Sequence, residues 1–402
     1  MRLLIIAEGA TLAHVGRPLL IAEEAARQGI DVVFARPARY AWMTREAAFN
    51  VVDLDTQSPE VFSERLAKGS PLYEFDTLDS YVQVDRELLR SFRPDAVIGD
   101  FRLSLAVSAR LESCHYTTLS NAYWSPYYAI ANAWPVPDLP LTHVMPIALA
   151  RSVFNLLRPF AFALHARPMN QLRQKYGLNT RIDLQTAYTD ADLVCYCDLP
   201  GLFELRGAPG NHCVVGPLVW SPQMPCPDAW ADLREDLPTL YITLGSSGRA
   251  DLLAPTVDAL ACDRYQIIVS SAGKLFDIAS QPNVFHSSMV PGDMACERAD
   301  LVICNGGSPT SQQALRAGKP VLGVPCNLDQ FLNMDALSRR GVGLVVRSDR
   351  FSARRVQAAV ETLLHDQRGR HAVLALTGEV GERYSNRRVA GRVIDDVRAG
   401  VA

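Results

Sequence analysis

Lysine is scarce in this chain. Only Lys68, Lys175, Lys274 and Lys319 stand among 40 basic residues, and the arginine excess fits a GC-rich bacterial genome. The net charge of −3 argues against a nucleic-acid coat or a polybasic membrane patch. No run supplies the roughly 20 apolar residues of a membrane span. The nearest, from His143 to Ala166, is interrupted by Arg151 and Arg158 and reads as an amphipathic helix. The opening apolar stretch ends at Glu8, too soon for a signal-peptide core. Nine scattered cysteines make no disulfide framework, and reduced thiols suit a cytoplasmic protein. Cys195 and Cys197 lack a second Cys/His pair, so they read as one buried strand face rather than a zinc site. Two phosphate-binding signatures are missing as well. No Gly-Lys-Ser/Thr occurs, and the first strand leads into Glu8-Gly9-Ala10-Thr11-Leu12-Ala13-His14 without a G-x-G-x-x-G.

What is present is 402 residues, 48% hydrophobic and 21% charged, which suits two ordinary domains. Apolar runs at 3–7, 31–35, 94–98 and 115–119 alternate with helical patterns at 17–28 and 102–112. That order predicts parallel strands joined by right-handed crossovers. The rhythm fails at 123–176, where helices are expected at 144–158 and 159–176. A second series follows at 239–244, 265–269, 301–304 and 320–322, with a helix at 309–316. The expected architecture is α/β, with two facing Rossmann-like domains of parallel sheet and a cleft between them. The N-terminal domain is assigned to 1–216, a proline-stiffened linker to 217–238 and the C-terminal domain to 239–385. A last helix at 386–402 is expected to pack back on the first domain.

The densest signal is Cys304-Asn305-Gly306-Gly307-Ser308-Pro309-Thr310-Ser311-Gln312-Gln313, at the passage from strand to helix. Glycines let backbone approach a ligand, and the following helix offers unpaired N–H groups to an anion. Pro309 suits a first helical turn. Downstream come Gly323-Val324-Pro325 and Asp329-Gln330-Phe331-Leu332-Asn333.

This succession resembles the donor signature of nucleotide-sugar glycosyltransferases of the UDP-glycosyltransferase type, which have the two-domain GT-B fold. The resemblance covers roughly residues 241–364. It implies that Gly306, Gly307, Ser308 and Thr310 face the donor diphosphate, with Ser246 after the strand at 239–244. It also implies that Asp329 and Gln330 hold the sugar hydroxyls and that Val290 packs against the base. Two positions depart from the family. Asn305 replaces a histidine on the diphosphate, and Gln313 replaces a glutamate on the ribose. The second leaves UDP and dTDP sugars both open.

In the first domain, the resemblance aligns His14 with a catalytic histidine, with Arg17 where proline is usual. Asp100 aligns with the aspartate that orients it; a helix N-cap is the other reading of that residue. Tyr123, Trp124, Tyr127 and Trp134 fall among the acceptor loops, as pocket lining or as simple packing. Asp53-x-Asp55 and Asp190-x-Asp192 imitate metal-binding pairs and are assigned no metal. The function expected is an inverting, metal-independent transferase of the hexosyltransferase type. It would need no cofactor beyond the nucleoside-diphosphate sugar and act on a small apolar or aromatic acceptor. A nucleotide-sugar 2-epimerase and a non-catalytic partner of the same fold are the alternatives.

Overall fold

Strands buried on both faces are apolar at every position, and β1 (Arg2–Ala7) shows what this achieves. Leu3, Ile5 and Ala7 enter one core cluster while Leu4 and Ile6 enter another, and all five are wholly buried. The computed structural model describes the chain except for residues 131–132, 246, 274–280, 381–383 and 402, and the side chains of 379–380. The described residues divide into two compact units, 1–130 with 156–220 and 384–402, and 131–155 with 221–383.

In the first unit β1 joins β2 (Asp31–Arg36), β3 (Asn50–Asp53), β4 (Ala96–Asp100), β5 (His115–Ser120), β6 (Leu193–Tyr196) and β7 (His212–Val214). Their order is β3-β2-β1-β4-β5-β6-β7, and all pairs are parallel. In the second unit β8 (Thr239–Thr243), β9 (Gln266–Ser270), β10 (Val284–Ser287), β11 (Leu301–Cys304), β12 (Val321–Gly323) and β13 (Gly343–Val345) form a six-stranded parallel sheet. Its order is β10-β9-β8-β11-β12-β13. Each order reverses once, between β1 and β4 and between β8 and β11. Loops leaving two such strands turn to opposite faces, which opens a crevice beyond their carboxyl ends.

The helices that bear on function are α1 (Ala13–Arg27), α2 (Leu105–Leu111), α3 (Ile147–Lys175), α4 (Gly292–Arg298), α5 (Ser308–Arg316), α6 (Leu328–Arg339) and α7 (Asn386–Val401). Some of the expected boundaries differ. α1 starts one turn before the expected residue 17, so His14 sits inside the helix and not in a loop. The two helices expected on either side of Pro159 are one, α3, which runs through Pro159 and Pro168. Proline there withdraws an N–H from the carbonyls of Asn155 and Leu164, a cost that solvent offsets on an exposed helix. By length and apolar composition alone, α3 also passes for a membrane-crossing helix, where no such segment was expected.

Residues 131–155 belong to the second unit, not the first. Arg347 donates to the carbonyls of Val136 and Pro137, Arg350 to that of Thr142, and Ser348 Oγ to Asp138 at 2.8 Å. The stretch assigned as linker, 217–238, holds the division between the units and is packed on either side of it. Leu218 and Val219 are buried in the first unit, Trp230 is buried in the second, and the division falls at Trp220 and Ser221. The last helix, α7, belongs to the first unit, where Val389, Val393 and Ile394 share a core cluster with Val15, Leu19 and Ala22 of α1.

Candidate active site

Register places Ala7 of β1 beside Asp100 at the end of β4, at the reversal point of the first sheet. His14 and Arg17 stand three residues apart on α1, hence on one helical face. Both reach Asp100, whose carboxylate is wholly buried. His14 Nδ1 lies 2.7 Å from Oδ1; Arg17 Nε and Nη2 donate to Oδ2 and Oδ1, each at 2.8 Å. An ionised carboxylate only accepts, so Nδ1 carries the proton and the Nε2 lone pair is left outward as a base. Arg17 Nη2, 3.4 Å from the same Nδ1, is then a second donor beside it and not its partner.

Burial pushes the Asp100 carboxyl upward, but the charges of Arg17 and then His14 outweigh it and hold it below its ordinary value. Burial opposes the Arg17 charge too, yet Asp100 keeps it firmly protonated. Arg17 Nη1 continues to Asn121 Oδ1 at 3.0 Å, and Asn121 Nδ2 to Asp198 Oδ1 at 2.8 Å. The imidazole stacks on Phe101, with centroids 4.9 Å apart and planes 15° apart. Phe101 holds a φ of +56°, a strained conformation that turns the ring beneath His14. The capping alternative for Asp100 fails, because α2 begins five residues later, at Leu105, with Ser104 at its cap.

At the reversal point of the second sheet, Thr243 of β8 is in register with Cys304 of β11. The chain beyond Cys304 turns at Gly306, whose φ is +80° and where a Cβ would meet Met334 Cγ at 2.5 Å. Gly307 caps α5, which opens with Ser308, Pro309 and Thr310. Asn305, nearly buried, accepts from Gly307 N at 2.9 Å through Oδ1 and donates to Ser247 Oγ at 3.4 Å. It therefore shapes the turn. Asn333, buried on α6, donates to Gly306 O and Ser311 Oγ, both at 2.8 Å, and so fixes the glycine turn from behind.

Gln330, also buried, completes a capping box with Asn327. Its Oε1 accepts from Cys326 N at 2.9 Å and its Nε2 donates to Ser247 O at 3.3 Å. Its amide spends one N–H and one acceptor position on the fold, and Asp329 is half-buried beside it. The amide of Gln313 stands against Gly292, the first residue of α4, with Val290 buried two residues before. Ser246 lies outside the described residues.

The aromatic group divides. Tyr123 is buried on Phe203, Trp124 packs edge-on to Tyr188 but stays half-buried, and Tyr127 meets His212. Trp134 is buried in the other unit, where its carbonyl accepts from Arg151 and Asn155. Tyr123 and Trp134 are thus packing residues. The acidic pairs are engaged as well: Asp53 with Arg36, Asp190 with Arg110 and Arg173, and Asp192 with Tyr116 N.

Two parallel α/β units, with polar side chains gathered where each strand order reverses, are the two halves of the GT-B fold. Solved structures agree on the fold: the glycotransferase of kitacinnamycin matches with a TM-score of 0.70 at 18% identity, covering 98% of each chain. A Streptomyces glycosyltransferase complexed with thymidine diphosphate matches at 0.66 and 17% identity, covering 98% of this chain and 99% of the other. Residues 255–395 match the family described as erythromycin biosynthesis protein CIII-like, C-terminal domain. A PGL/p-HBAD biosynthesis glycosyltransferase of Mycobacterium tuberculosis is 39% identical, over 96% of this chain and 90% of its own. A PGL/p-HBAD biosynthesis rhamnosyltransferase of Mycobacterium bovis is 39% identical over 94% and 84%. The chain belongs to the nucleotide-sugar glycosyltransferases of the UDP-glycosyltransferase type.

Proposed function

We propose that this enzyme moves a sugar, with inversion and without a metal, from a nucleoside-diphosphate sugar to a hydroxyl of a lipophilic, phenol-like or glycolipid-precursor acceptor. The observation that carries the reading is the 2.7 Å contact between His14 Nδ1 and buried Asp100, which leaves Nε2 as the base. His14 takes the proton of the acceptor hydroxyl as its oxygen attacks the anomeric carbon. The bond from that carbon to the diphosphate oxygen breaks, and attack from the opposite face inverts the centre. In the second unit, the growing diphosphate charge meets the amino end of α5, whose dipole favours an anion. Gly306, Gly307, Ser308, Thr310 and Ser246 hold that diphosphate, while Asp329 and Gln330 serve the sugar.

Gln313 in place of a carboxylate favours dTDP over UDP, since a 2′-deoxyribose offers one hydroxyl fewer. The thymidine diphosphate complex of a structural neighbour and the rhamnosyltransferase name of a relative support a dTDP-deoxysugar donor. The relatives' names in PGL/p-HBAD biosynthesis support the acceptor class. The test is His14→Ala. Transfer should fall by roughly 10²–10⁴ while calorimetry gives unchanged dTDP affinity in the presence of EDTA. Unchanged transfer, or dTDP binding that requires magnesium, would remove the mechanism.

A further inference from the structure

Helix α3 presents to solvent what most helices bury. Leu156, Leu157, Phe160 and Leu164 are 73%, 53%, 75% and 52% exposed. Spaced at i, i+1, i+4 and i+8, they form one stripe. The opposite side of the helix is the attached one: Ala166, Met169 and Leu172 are buried, the last two in the core cluster around β4. A helix anchored in the core of a folded unit through Ala166, Met169 and Leu172 lies on a bilayer and does not cross it.

Charge chooses the partner. From residue 139 to 182 the chain has no carboxylate and six basic residues, Arg151, Arg158, Arg167, Arg173, Lys175 and Arg181, although the whole chain is acidic. Arg173 and Lys175 are taken up by Asp190 and Asp79. Arg167, exposed, lies on the apolar stripe itself, three residues beyond Leu164. In the neighbouring segment, reached through His165 Nε2 and the carbonyl of Gly69 at 3.1 Å, Glu64 pairs with Lys68 and Glu74 with Arg65. A second copy meeting this face symmetrically would bring Arg167 against a surface of the same sign. A layer of anionic headgroups over acyl chains answers both the cation and the stripe.

We propose that the exposed stripe of α3 docks the enzyme on the surface of an anionic lipid bilayer, with Leu156, Phe160 and Leu164 in the interface and Arg167 at the phosphates. This goes beyond the transfer chemistry and stands whether or not His14 is the base.

The test is flotation of the full chain with phosphatidylcholine vesicles, with and without phosphatidylglycerol. Wild type should bind the phosphatidylglycerol vesicles and release at high salt. The double substitution Leu156→Glu with Phe160→Glu should weaken binding at least about tenfold, and Arg167→Gln should weaken it on the anionic vesicles alone. Circular dichroism and dTDP affinity of the variants should equal wild type, since the altered side chains are exposed. Failure of wild type to bind, equal binding by the double variant, or equal binding to uncharged vesicles overturns the proposal. So does a wild-type dimer that the double variant converts to monomer without any vesicle binding.

Discussion

Replacing Asp100 by Asn separates the two tasks of that carboxylate, which holds His14 Nδ1 and neutralises a buried cation. Arg17 is 5% exposed and directs two of its N–H groups at Asp100, both at 2.8 Å. Charge-assisted bonds of this kind contribute about 1.5–3 kcal/mol each. Removing one member of a buried pair costs more than the bonds alone, about 3–5 kcal/mol, because the remaining charge stays desolvated. Asp100→Asn keeps the shape and removes the charge, so chemical denaturation should record a loss of about 3–5 kcal/mol for the first unit. Adding Arg17→Met removes the stranded cation. The double variant should recover at least about 2 kcal/mol relative to Asp100→Asn, a coupling typical of contacting pairs. Transfer should not recover, since neither variant restores the carboxylate behind His14. His14→Ala offers the opposite pattern, with transfer lost but stability within about 1 kcal/mol of wild type. Asp100→Asn as stable as wild type, or a double variant no better than the single, would refute the assignment of this ion pair as a structural element of the unit.

Three further outcomes follow from the same geometry. Gly306→Ala forces an L-residue to a φ of +80° at about 1–2 kcal/mol and sets its Cβ against Met334; dTDP affinity and thermal stability should both fall. Gln313→Glu should move the ratio of UDP to dTDP affinities toward UDP by about tenfold, read by calorimetry, as one added charge-assisted bond to a hydroxyl would. Asp100 has a depressed pKa in the folded state, so its contribution is complete above the unfolded value near 4 and is lost as pH falls through the folded one. Acid titration of stability should therefore show a component below about pH 4 that Asp100→Asn lacks.

The central strands were legible because burial on both faces demands continuous apolar runs; β3, β7, β10 and β13 are three or four residues long, with partly exposed side chains, and carry no such run. His14, Asp100 and the glycine turn were legible as members of a resemblance, since no local pattern joins residues 14 and 100. Arg17 appeared only as a departure from that resemblance. Its i+3 spacing from His14 was the available signal, and the fork of its guanidinium gives that spacing its meaning. Asn327 and Gln330 carry the N-x-x-Q form of a capping box, a local signal the sequence offered beside the ligand role. The attachment of residues 131–155 to the second unit rests on arginine bonds to backbone carbonyls more than 200 residues away. Composition and periodicity hold no trace of such pairing.

The packing of α7 on α1 has a consequence for biosynthesis. The helix that bears His14 leaves the ribosome early, and the helix that covers its apolar side leaves only after the whole second unit. At about 5–20 residues per second, the intervening chain takes roughly 20–70 s to make. Through that interval Val15, Leu19 and Ala22 lack the cover that Val389, Val393 and Ile394 later give. The second unit, apart from 131–155, is contiguous and can fold while it waits. The helix that bears His14 thus gains its cover only after the second unit has been made, and a nascent chain stalled before residue 386 would hold a finished second unit with α1 still uncovered.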